Sequence, residues 1–169
     1  MTGENVPTSK RCDASPTPIA GEEHVAYGLY SPLFDPANPR LTPEAIQIDQ
    51  LLGPRGGHLD KCGYSTGLSV CRLGFAGARD ELRRALEGIV VAKPGRRIEG
   101  FARVRVQQIW NIVAPQTGTS SFKVLDDGRQ DYQTHAVIRG ADGLGRSALR
   151  GPRADLIELL NAGVTRHGP

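Results

Sequence analysis

The chain has 169 residues, 38% hydrophobic and 23% charged, enough for one domain with a buried core and too few for two. Its 21 Gly and 12 Pro follow no Gly-X-Y period, and its longest wholly apolar run, Ile89 to Ala92, is far short of a membrane span, so collagen and membrane-helix classes are excluded. The formal charge of +3 is unevenly placed: residues 1 to 43 hold three basic and five acidic groups, residues 54 to 105 eleven and five, so an anionic partner meets the second sector first.

In chain order, Met1 to Gly21 is rich in Pro, Thr and Ser and reads as a loose tail ahead of a single domain from residue 22 to 169. His24 to Tyr30 suits a short strand. Pro32, Pro36 and Pro39 make the next stretch an irregular loop that can pack through Leu33 and Phe34. Thr42-Pro43-Glu44 signals a helix start, with Gly53 as its stop. The glycine-rich stretch Gly53 to Gly67 leads into a strand at Leu68 to Leu73, and Leu82, Ala85, Leu86 and Ile89 mark the apolar stripe of a helix from about Ala78 to Glu87.

Ile98 to Val106 alternates, with Ile98, Gly100, Ala102, Val104 and Val106 on one side and Glu99, Phe101, Arg103 and Arg105 on the other. Phe122 to Leu125 and Tyr132 to Ile138 flank a Gly-containing loop and read as a hairpin. Pro152 is expected at the start of a last helix that ends near Ala162, with Gly163 as its cap. The order of elements predicts an α+β fold: a mainly antiparallel sheet with two to three helices packed on one face.

An odd count of three Cys, without a Cys-x-x-Cys pair and behind a polar N-terminus, predicts a reducing, cytoplasmic setting and no metal site. Neither a Walker A loop nor a dinucleotide fingerprint is present, so no cofactor is predicted.

Two segments carry candidate chemistry. The Gly53 to Gly67 loop gathers Arg55, His58, Cys62 and Ser65 on backbone that can approach a ligand closely. Within it, Tyr64-Ser65-Thr66-Gly67-Leu68-Ser69 is similar over six residues to the Ser-Thr-Ser strand of mono-ADP-ribosyltransferases; Gly67 replaces the second Ser and no catalytic Glu follows on a later strand. The second segment is the hairpin strand. There His135 shares a face with Arg139, opposite the core-facing Ala136 and Ile138, and is expected on an open surface. Asp126, Asp127 and Asp131 are explained by turn formation, and Cys71 as a small buried hydrophobe.

The leading expectation is a binding or regulatory protein in which Arg55, Arg103, Arg105 and Arg139 meet an anionic or acidic partner. The alternative is a small hydrolase or transferase with His135 or His58 as acid-base, Arg139 as anion clamp and Cys62 or Ser65 as nucleophile. A third is nucleic-acid binding, with Arg103 and Arg105 tracking phosphates beside Phe101 as a stacking ring.

Overall fold

The computed structural model describes residues 19–52, 67–128 and 131–166. The expected tail therefore falls almost wholly outside the described residues, as do Arg55, His58, Cys62 and Ser65. Strands β1 (His24–Ser31), β4 (Leu68–Arg72), β5 (Arg97–Arg105), β6 (Phe122–Asp126), β7 (His135–Gly140) and β8 (Val164–Thr165) form one sheet in the order β6-β7-β4-β1-β5-β8. Every neighbouring pair in it is antiparallel. A separate two-stranded ribbon joins β2 (Phe34–Asp35) to β3 (Arg40–Leu41).

The expected α+β class holds. Helices α1 (Ile48–Leu51), α3 (Val106–Trp110) and α4 (Arg146–Ala162) pack on one face, and α2 (Ala78–Ala92) covers part of the other. Alternation along central β1 fixes both contacts: Val25, Tyr27 and Leu29 enter the larger core with Leu149, Leu156 and Leu160 of α4, whereas Ala26 faces Leu82 and Leu86 of α2. Small residues on that second side admit the helix closely, since a Cβ at Gly28 would lie 2.5 Å from Leu86 Cδ2. Among the described residues, no helix is long and apolar enough to cross a membrane.

The β6–β7 hairpin is antiparallel as expected, with Val124 opposite Ile138, although β7 starts at His135 rather than Tyr132, and Gly163 caps α4 through its N–H to the Leu160 carbonyl, 3.0 Å. Phe34 is fully buried and Leu33 packs against the same core. Other expectations need correction. The helix predicted from Thr42 to Gly53 is instead a 3-10 turn, Pro43–Ala45, and the single turn of α1, separated at the extended Ile46. Arg153 of α4 donates to the carbonyls of Pro43 and Ile46, satisfying groups that a continuous helix would have bonded internally. Helix α2 runs past Gly88 to Ala92. Pro152 lies inside α4, which starts six residues earlier at Arg146. The strand read over Ile98 to Val106 ends one residue earlier, at Arg105, because α3 follows at once.

The alternation read along β5 breaks at Gly100. Leu29 opposes Gly100 while Tyr30 opposes Ile98, leaving Glu99 as an extra residue in a bulge. The parity flips there, so Ile98 joins Phe101 against α2 while Ala102 and Val104 face the larger core. Gly100 has φ +140°, and a Cβ on it would sit 2.0 Å from the Thr165 carbonyl oxygen. Gly100→Ala is expected to cost at least about 1–3 kcal/mol from backbone strain and to detach β8. Urea unfolding with amide exchange at Ala102 and Val164 checks this.

Candidate active site

The site arises from how β4 sits between its neighbours. β1 and β5 pair over eight residues and β4 and β7 over four, whereas β1 and β4 pair only at Val25–Arg72 and Ala26–Cys71. Past Ala26 the β1–β4 ladder stops, and a cavity of about 420 Å³ occupies the region beyond it. Its lining comes from both sheet faces: Tyr27, Leu68 and Ala45 from the side of α1 and α4, and Ser69, Leu86 and His135 from the side of α2. Gly67, the last residue of the glycine-rich loop, also lines it.

In the β4–β7 register Cys71 faces His135 and Ser69 faces Val137. Ser69 and His135 are therefore diagonal neighbours on one face, within reach of a long side chain. The imidazole spans that diagonal, with His135 Nε2 2.8 Å from Ser69 Oγ. On its other side His135 Nδ1 lies 2.9 Å from Asp127 Oδ2 and 3.1 Å from the Asp127 main-chain oxygen. Both partners of Nδ1 are acceptors, so Nδ1 carries the ring proton and Nε2 accepts the Ser69 hydroxyl proton. The Asp127 N–H donates in turn to the His135 carbonyl, 3.0 Å, so main chain and side chain lock the pair together.

His135 and Asp127 are only 3% and 4% exposed, while Ser69 stays exposed. This overturns the expectation that His135 stands on an open sheet surface. Residues opposite the main core are open only where nothing covers the second face; here the Tyr132 ring lies 5.0 Å from the imidazole, and α2 covers the adjoining strands. Burial also changes the reading of the hairpin carboxylates. Asp127 holds His135, and Asp126 sits 3.3 Å from Arg72 Nη1, so both are more than turn formers. Asp131 lines the cavity.

Ser69, His135 and Asp127 form a hydroxyl–imidazole–carboxylate relay with the shape required of a nucleophile, its base and the group orienting that base. Cys71, on the same strand face, cannot replace Ser69 as nucleophile. It is fully buried, its thiol bonds Thr134 Oγ1 at 3.2 Å and the Ala78 carbonyl at 3.3 Å, and burial raises its pKa.

The predicted arginines do not converge. Arg139 is four residues along β7 from His135, about 13 Å at strand rise; it lies 3.8 Å from Asp142 and does not line the cavity. That removes it as an anion clamp for His135. Arg103 and Arg105 are exposed on β5, with β4 and β1 between them and β7. Phe101 is buried under α2 at 4% exposure, with Arg79 over its ring, so it offers no stacking platform. Arg105 does face His24 across β1, and Arg103 is near. Desolvation first, then these two guanidinium groups, lower the His24 pKa below its ordinary value. Since the folded state disfavours His24 protonation, this stability contribution is present above the ordinary histidine pKa and is lost as pH falls through the lowered one. An NMR titration should place His24 below an unperturbed histidine, and Arg103→Gln with Arg105→Gln should move it back up.

Sequence reasoning missed Ser69 and Asp127. Their one visible trace is a lone hydroxyl in the apolar run Leu68–Cys71 and an acid directly before the hairpin turn. No family model matches this chain, no curated protein matches it in sequence, and no solved structure matches it.

Proposed function

We propose that this chain is a small serine-dependent hydrolase or acyltransferase, with Ser69 as nucleophile, His135 as general base and acid, and Asp127 as the group that orients His135. One observation carries the reading: the Ser69–His135–Asp127 relay, with contacts of 2.8 and 2.9 Å, opens through its hydroxyl into a cavity. Ser69 Oγ attacks the acyl carbon of an ester or thioester as its proton passes to His135 Nε2. The bond to the leaving alcohol or thiol then breaks, and that proton goes to the leaving group. Water or a second alcohol attacks the Ser69 ester, gives its proton to Nε2 and releases the acyl group, and Ser69 recovers the proton. Buried Asp127 stabilises the imidazolium formed in each half. Ser69 lies on strand β4, and a strand positions a nucleophile more rigidly than a loop does; Cys62 and Ser65, the nucleophiles first considered, lie outside the described residues. The buried, reduced Cys71 thiol suits a cytoplasmic setting.

A fluorophosphonate probe tests the reading. The intact protein should take one adduct, mapped by mass spectrometry to Ser69, while Ser69→Ala and His135→Ala remain unlabelled and folded. An unlabelled intact protein, or an adduct that persists in Ser69→Ala, sinks it.

A second reading is favoured by the exposed pair Arg103 and Arg105 flanking His24, which add to desolvation in depressing that imidazole. On this reading the surface meets an anionic partner, nucleic acid among them, and the chain acts as a binding protein. Affinity for single-stranded nucleic acid should then fall steeply with salt and vanish in the double Arg103→Gln, Arg105→Gln variant. Salt-independent binding removes this reading.

A further inference from the structure

We propose that the cavity beyond the β1–β4 ladder is an acyl pocket, and that the substrates presented to Ser69 are esters or thioesters with an uncharged, apolar acyl group of medium length. This rests on the acyl-transfer reading and adds its substrate class. Among the described residues, apolar wall comes from two sides: Tyr30 and Leu33 from one, and Leu82, Ala85, Leu86 and Ile89 from α2. These four helix residues form the stripe that would pack a core, yet Ala85 and Ile89 are only half-buried and border the empty space. Apolar side chains lining a cavity beside a nucleophile favour an apolar group there, since filling it adds contacts that water does not supply.

Charge narrows the class. Among the described residues no Lys or Arg lines the cavity and Asp131 is the one carboxylate, so an acyl group ending in a carboxylate meets a like charge there and no described counter-ion. Size narrows it further. A volume of about 420 Å³ lies towards the lower end of the roughly 300–1,000 Å³ spanned by small-ligand sites, so an acetyl group underfills the cavity and a long chain overruns it. The bonds made and broken are those already described; the pocket only selects which acyl carbon reaches Ser69 Oγ.

The test is hydrolysis of p-nitrophenyl esters from acetate to dodecanoate by intact protein, Ala85→Phe and Ile89→Ala, alongside NMR titration of folded Ser69→Ala with methyl octanoate and with monomethyl suberate, a carboxylate-bearing ester. Expected is a kcat/KM that climbs by up to about fourfold per buried methylene, peaks at medium length and then falls. Ala85→Phe should move the peak to shorter chains, and Ile89→Ala to longer ones. Methyl octanoate should shift resonances of Gly28, Leu68 and Leu86 saturably, and monomethyl suberate should not. Ser69-dependent hydrolysis with a flat chain-length profile, unchanged in both cavity variants, overturns the pocket and leaves the chemistry standing. Saturable methyl octanoate binding without any Ser69-dependent hydrolysis supports the ligand class while the reaction fails. Absence of both, or equal binding of the two esters, overturns the proposal.

Discussion

Ser69→Ala and His135→Ala are each expected to lower kcat/KM for an activated ester by about 10³-fold or more, because one removes the atom that bonds carbon and the other the base that takes its proton. Asp127→Asn should cost less. The Asp127 main-chain oxygen, 3.1 Å from Nδ1, remains an acceptor in that variant and retains only part of the preference for the tautomer in which Nε2 is bare. What Asn removes is the negative charge beside the imidazolium, and its amide can turn an N–H towards Nδ1. The expected order is therefore Ser69 and His135 together, then Asp127, with combined variants no worse than the worst single one because the three act as a unit. Nitrogen-15 spectra of the imidazole give a readout independent of rate: His135 should be protonated at Nδ1 in the intact protein and shift towards Nε2 protonation in Asp127→Asn. Additive losses, or a ring tautomer indifferent to Asp127, would show that the relay only holds the hairpin to β4.

The largest stability effect is expected at Arg72. Its side chain is 2% exposed, with Nη2 2.6 Å from Glu23 Oε1, Nε 3.0 Å from Glu23 Oε2 and Nη1 3.3 Å from Asp126 Oδ1. The fork holds the segment before β1, the end of β4 and the end of β6, three pieces of chain far apart in sequence. It also anchors Asp126, the residue immediately before Asp127, so the relay depends on it for position. Arg72→Met keeps much of the volume and removes the charge, leaving the buried Asp126 carboxylate without its guanidinium. The cost should be about 3–5 kcal/mol, read as a lower urea midpoint at unchanged slope. Adding Asp126→Asn should recover part of that loss, since an amide is far cheaper to bury than an unpaired carboxylate. A loss below about 1 kcal/mol, the range of exposed pairs, would show that water reaches the fork.

Patterns that depend on neighbours in sequence survived into the structure. The β6–β7 hairpin, the stripe of α2, the Gly163 cap and the apolar runs of β1 and β4 were legible because turn residues and periods of 2 or 3.6 act over a few residues. Features set by distant contacts did not survive. The helix signal at Thr42 was overridden when Arg153, more than a hundred residues away, took up the Pro43 and Ile46 carbonyls. The parity of β5 was flipped by a bulge that accommodates β8 against Gly100.

By itself the sequence determined that this is a single α+β chain with a mostly antiparallel sheet, and that His135 lies on a hairpin strand away from the main core. Only the tertiary structure decided what His135 meets. Ser69, Asp127 and His135 come from three segments, and nothing local to any of them encodes the strand order that puts β4 beside β7 or the early end of the β1–β4 ladder. A relay depends on distances of about 3 Å between side chains, and those are fixed by sheet register and by burial of the second face, which are properties of the packed whole.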